Sequence, residues 1–165
     1  MSTLCQTLQF RMLINNPILA FKTIFIYTVN QAVALYWAMQ TFKKVSLIVL
    51  ILFYTVAGIN HFRSPDSYYR IIPPYIPYPI LVNILAGCFE LLFGLGLIFR
   101  KTRPAAAWGI ILMLLAFLPV HISMIGNAPL KLGDLLVTPL IAWVRLIILQ
   151  PLLLLWAWWY TKAKH

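Results

Sequence analysis

Few side chains in this sequence can do acid–base or ionic chemistry, and two of them stand inside apolar runs. Glu90 lies within Ile80 to Phe99, and Arg145 within Leu135 to Trp159. Ionisable residues at such places are rare and normally face a bundle interior or a wet cavity. His61 and His121 add two imidazoles, the side chain whose charge changes nearest neutral pH. Asn60, Asn83 and Gln150 add amides that both donate and accept hydrogen bonds. At about 1.5 Å per residue, Arg145 and Glu90 are each about ten residues into their runs from the same side, so they reach one level. The chemistry this predicts is an ion pair between Glu90 and Arg145 in a polar cavity shared with Asn60, His61, Asn83, His121 and Gln150.

Insertion alone does not require that pairing. A central arginine costs about 2.5 to 3.5 kcal/mol, and each Leu, Ile or Val returns about 0.3 to 0.6; the run around Arg145 holds about fourteen of them. An ion pair would instead fix which helix faces meet. On the second run, Asn83, Gly87, Glu90 and Gly94 recur at helical i, i+3 and i+4 spacing, a polar stripe edged by small residues that allow close approach. Structural readings stand beside these: glycine packing around one tolerated acid, histidines that cap their helices, and Arg145 or Gln150 bonded to carbonyls freed by Pro119 and Pro151.

The elements that must position these residues are membrane spans. Apolar residues make up 62% of the 165, and the mean hydropathy is +0.89, far above a soluble mixture. Four runs approach the about 20 residues a spanning helix needs: Val45 to His61, Ile80 to Phe99, Ala105 to Ile125 and Leu135 to Trp159. Backbone groups must pair within lipid, and no period-two alternation marks barrel strands. The expected class is therefore all-α, a transmembrane four-helix bundle with an extra N-terminal segment. Residues 43–165 form the bundle, and 1–42 are either an interfacial helix or an over-extended start, with a fifth span the weaker alternative.

Between the first two runs, a segment rich in proline and tyrosine, with Arg63, Asp66, Arg70, Pro73 and Pro74, cannot form one helix and should lie at the membrane interface. Tyr68, Tyr69, Tyr75 and Tyr78 suit that depth, as do Trp156, Trp158, Trp159 and Tyr160 at the far end. Thirteen Lys and Arg face only Asp66, Glu90 and Asp134, a net charge of +10. The basic residues cluster at run ends, which is a topology signal and excludes a nucleic-acid platform. Lys43, Lys44, Arg100, Lys101, Arg103, Lys162 and Lys164 fall on one side, against Arg63, Arg70 and Lys131 on the other. That asymmetry predicts a multi-pass cell-membrane protein with both termini cytoplasmic. Cys5 and Cys88 make no metal or redox spacing. Two lone histidines are weak grounds for haem, no metal site is expected, and no nucleophile with its base marks an enzyme.

Three segments, Ala57-Gly-Ile-Asn-His-Phe-Arg-Ser-Pro-Asp with the following Pro73-Pro74, Glu90-Leu-Leu-Phe-Gly-Leu-Gly, and Arg145-Leu-Ile-Ile-Leu-Gln-Pro, resemble the DoxX-like family of small integral membrane proteins. The resemblance covers about residues 45–161 and implies a four-helix membrane bundle. For named relatives it also implies a subunit associated with quinone-linked sulfur oxidation or other membrane redox complexes, and for others an assembly chaperone. The expectation for this chain is an accessory or quinone-facing subunit of a redox system in a bacterial inner membrane, its partners the lipid bilayer and a redox protein. A scaffold that grips a partner through the Pro-Tyr segment and a small proton-linked carrier titrating at Glu90 are the alternatives.

Overall fold

The computed structural model describes residues 17–132 and 135–162. The chain divides into two compact units, residues 1–46 and 47–165. Helix α1 (Pro17–Arg63) has residues in both units and begins at Pro17, where the missing N–H is no loss because a first-turn N–H has no intrahelical acceptor. Apolar side chains such as Phe21, Ile24, Tyr27 and Trp37 stand exposed around this part of the helix. Thr23 and Thr28 return their hydroxyls to the carbonyls of Leu19 and Phe25, so neither presents an unpaired group. Nothing in Met39–Lys44 breaks a helix, and α1 continues through Lys43 and Lys44. The helix that carries the first apolar run therefore extends over Ile18–Arg63 and does not start at Val45.

The second unit is built from the end of α1 and three further long apolar elements. Helix α2 (Pro65–Tyr69) is a single turn opened by Ser64-Pro65. Helix α3 (Pro79–Gly96) comes after Tyr78, which sits at φ 55° and turns the chain out of the proline-rich segment. Its end is covered by the next helix: Arg103 donates to the carbonyls of Leu97 and Ile98, and Thr102 to that of Gly96. Such donors satisfy carbonyls that a helix end leaves unpaired. Helices α4 (Arg103–Ala116) and α5 (Leu118–Asn127) form one span interrupted at Phe117, where Pro119 cannot donate to Leu115.

The last span starts later than the sequence suggests. Strands β1 (Leu130–Leu132) and β2 (Leu135–Val137) pair antiparallel, Leu130 opposite Val137, so residues 135–137 are extended and helix α6 (Pro139–Val144) begins only after the Thr138 cap. A π turn (Arg145–Leu149) comes next, then helix α7 (Gln150–Trp158). The Pro151 ring would collide with the carbonyl four residues earlier in a regular helix. The wider turn accommodates it, with Gln150 N–H bonded to Arg145 O five residues back. Long helices and this short hairpin make the fold all-α in character. Among the described residues, four helices are long and apolar enough to cross a membrane, and the chain is a multi-pass membrane protein.

Two apolar clusters hold the second unit. The larger joins Leu50, Tyr54, Leu97, Ile110, Leu153 and Tyr160. Tyr160 is therefore core, not part of the aromatic belt expected of it, while Trp158 and Trp159 are exposed. The smaller joins Met124, Val137 and Ala142. In sequence, His121, Arg145 and Gln150 fall between residues of the two clusters.

The end of α1 crosses α3 at glycine distance. A Cβ on Gly87 would lie 2.8 Å from His61 Cβ and 2.9 Å from the Phe62 ring, and one on Gly58 would lie 3.0 Å from Gly87 O. Gly87→Ala should therefore lower stability by about 1–3 kcal/mol through overpacking. Gly126→Ala, with no atom within 4 Å of the added carbon, should change it by less than about 0.5 kcal/mol. Unfolding of the detergent-solubilised variants, monitored by circular dichroism, measures both.

Candidate functional site

Helix α3 buries a face made of Asn83, Ala86, Gly87, Glu90 and Gly94, the stripe its spacing predicts. Because Gly87 has no side chain, His61 of α1 can lie flat against that face. Asn83 then grips it twice: Asn83 Nδ2 donates to the His61 carbonyl at 3.0 Å, and Asn83 Oδ1 meets His61 Nδ1 at 2.7 Å. The first bond fixes which way the amide points, since a carbonyl can only accept. The second must then run from His61 Nδ1–H to Oδ1, which fixes the tautomer of the neutral ring.

With Nδ1 committed, His61 Nε2 faces Glu90 Oε2 at 3.4 Å. Both residues are buried, and no hydrogen bond reaches that carboxylate oxygen among the described residues. Tyr68, on α2, stacks over the imidazole with ring centroids 3.8 Å apart, and its hydroxyl accepts from Asn60 Nδ2 at 2.8 Å. Burial pushes the Tyr68 phenol up from its ordinary value; the bond from Asn60 opposes that shift.

These groups form one side of a cavity of about 280 Å³. His121 of α5 and Arg145 of the π turn line it as well, and its apolar wall includes Ile72, Val82, Phe117 and Val120. His121 is 7% exposed, and neither of its ring nitrogens has a hydrogen-bond partner among the described residues. The guanidinium of Arg145 likewise makes no hydrogen bond or ion pair among the described residues. A buried imidazole and a half-buried guanidinium lining one space, both unsatisfied among the described residues, mark a place where a ligand or ordered water completes the bonding.

Several expectations change at this point. Glu90 and Arg145 do share the cavity, but the direct ion pair between them is absent among the described residues, and the near partner of Glu90 is His61. The later helix start explains part of this. Arg145 is 145 − 139 = 6 residues from the start of its helix and Glu90 90 − 79 = 11 from the start of α3, so the equal counts that set the two level do not hold. Gln150 leaves the site: its Nε2 donates to Leu114 O at 2.5 Å, beside the break between α4 and α5. Asn60 acts through Tyr68 from an exposed position.

Of the interfacial residues, Arg63, Asp66, Arg70 and Pro74 lie outside the cavity, and Pro73 is buried. Asp134 falls outside the described residues. No group of three or more His, Cys, Asp or Glu able to hold a metal occurs among the described residues.

Two residues escaped sequence reasoning. Tyr54 and His61 are seven apart on one helix face, and Tyr54 is buried with a hydroxyl that has no partner among the described residues; the i, i+3, i+4, i+7 pattern of Tyr54, Ala57, Gly58 and His61 carried that signal. Tyr68 reads as an interfacial tyrosine, and only the helix start at Ser64-Pro65 hinted that the chain turns back over His61.

The tautomer gives a direct check. In protein labelled with ¹⁵N-histidine, His61 should appear as the Nδ1–H form, and Asn83→Leu should move it toward the Nε2–H form or a mixture. Identical spectra would remove Asn83 from this role.

No curated protein and no solved structure matches the chain. A family model described as a domain of unknown function (DUF8561) matches residues 50–161. That match spans more than half of the sequence and includes every residue lining the cavity, so the chain belongs to the DUF8561 family.

Proposed function

We propose that this protein is an accessory, quinone-facing subunit of a membrane redox system, carrying no redox cofactor of its own, and that the cavity receives the head group of a membrane-soluble quinone. The observation that carries the reading is that an unsatisfied His121 and the Glu90–His61 contact line one cavity together with an apolar wall. A quinone ring is flat and apolar with a carbonyl at each end. One carbonyl can accept from an imidazole N–H or a guanidinium while the ring packs on Ile72, Val82 and Phe117. At about 280 Å³ the space is close to the lower end, about 300 Å³, of ordinary ligand pockets, which suits a head group better than a whole lipid.

The resemblance of the Asn60-His61, Glu90 and Arg145-to-Pro151 segments to DoxX-like proteins supports the redox assignment. The Lys and Arg excess at Lys43, Lys44, Arg100, Lys101, Arg103 and Lys162 supports a bacterial inner-membrane orientation with both termini cytoplasmic. A lipid-soluble ligand suits a site lined by span-forming helices, because it can arrive from the bilayer itself.

Purification in mild detergent followed by solvent extraction and mass spectrometry should yield bound quinone. His121→Ala should weaken binding of a short-chain benzoquinone about tenfold, the loss of one buried hydrogen bond. A preparation free of quinone, with no thermal shift on adding that benzoquinone, would overturn the reading.

A further inference from the structure

The charges lining the cavity are unevenly arranged. Arg145 brings five N–H donors and a fixed positive charge, and none of the donors is used among the described residues. Glu90 is the one carboxylate that lines the space among the described residues. The other titratable groups facing Glu90 are His61 and Tyr54 from α1, Tyr68 from α2 and His121 from α5; α4 contributes only apolar walls through Ala116 and the adjoining Phe117. With both histidines neutral, ionised Glu90 and Arg145 sum to zero.

A charge imbalance inside a low-dielectric site is expensive, so a ligand that changes that sum must bring compensation with it. A neutral ligand leaves five guanidinium donors facing at best one or two acceptors. An anionic head group engages several of them at once, and its bonds are charge-assisted. It would lower the net charge of the site to −1 unless one proton entered too. The structure contains the place for that proton: His61 Nε2 and Glu90 Oε2 are 3.4 Å apart, and His61 Nδ1 is already committed to Asn83.

We propose that the cavity binds a small amphiphilic monoanion together with one proton, the anionic head on Arg145 and His121, the proton on the His61–Glu90 couple, and the apolar body against Ile72, Val82 and Phe117. No bond in the ligand is made or broken; one anion and one proton enter and the site stays neutral. The inference rests on the cavity being the ligand site and deepens that reading by naming the charge class. A carboxylate and the phenolate of a deprotonated quinol share this chemistry.

Binding to the purified full-length protein is measured by calorimetry against pH with para-butylbenzoate, its neutral amide and a short-chain benzoquinone. Affinity for the carboxylate should fall about tenfold per pH unit once the couple has lost its proton, the slope expected for one co-bound proton. Glu90→Gln carries the proton's hydrogen permanently, so it should bind the carboxylate with a flat pH profile and tighter than the parent at high pH. Arg145→Gln should lose at least about tenfold for the carboxylate, and Arg145→Lys should recover part of it. The amide should be insensitive to both pH and Arg145→Gln.

Two results overturn the inference: carboxylate binding with the same pH profile in parent and Glu90→Gln, or equal carboxylate affinity in parent and Arg145→Gln. If the benzoquinone binds and the carboxylate does not, the anion inference fails while the quinone reading stands. If neither binds to protein that unfolds with the parent's cooperative transition, the cavity is not a ligand site and both fall.

Discussion

The two-point grip of Asn83 on His61 is the interaction on which the rest of the site depends. It joins α1 to α3 through one buried amide that donates to a backbone carbonyl and accepts from the ring of the same residue. In a water-poor interior each of those groups would carry a penalty of about 1–3 kcal/mol if left alone, so the pair is favoured chiefly because the alternatives are worse. Once formed, it leaves His61 no freedom of tautomer or ring angle. Glu90, two helical turns further along α3, is then held against the one remaining ring nitrogen.

Packing makes that grip possible. Gly58 and Gly87 bring two helices close enough for Asn83 to reach the backbone of α1, a distance an alanine at Gly87 would already open. Tyr68 closes the other face of the imidazole by stacking, and Asn60 steadies the tyrosine from outside. On the opposite wall the backbone itself is irregular. The break at Phe117 and the π turn at Arg145–Leu149 both lie beside cavity residues, and Gln150 bridges them by bonding Leu114 O. Irregular backbone at membrane depth is tolerated where it is buried in protein or borders a cavity. The site therefore has one wall held by regular helices and a second wall whose groups, His121 and Arg145, remain unsatisfied among the described residues.

Much of this is legible in the sequence where a pattern has a period. Apolar run lengths locate the spans, and the i, i+3, i+4 recurrence of Asn83, Gly87, Glu90 and Gly94 identifies the buried face of α3 before any coordinates. The proline positions announce the break at Pro119 and the irregular turn at Pro151. A one-dimensional count cannot resolve rotation about a helix axis. Counting from Leu135 puts Arg145 level with Glu90, but residues 135–137 form a strand, the helix starts at Pro139, and the π turn rotates every later residue of the span. The ion pair expected between them gives way to the contact of Glu90 with His61. Tyr68 illustrates the other limit: no periodic signal says that a one-turn helix folds back, so its ring reads as interfacial. Gln150 stands in an apolar run five residues from Arg145 and reads as a cavity residue, yet a carbonyl at the helix break claims it.

A double-mutant cycle at His61 and Asn83 tests the central claim most directly. The unfolding free energies of His61→Ala, Asn83→Ala, the double variant and the parent, in one detergent at one pH, give the coupling between the two side chains. If the grip organises the site, the coupling should be about 0.5–3 kcal/mol, with the double variant losing less than the sum of the singles. Strictly additive losses would mean that the two side chains act independently, contradicting a shared hydrogen-bonded unit as the foundation of the cavity.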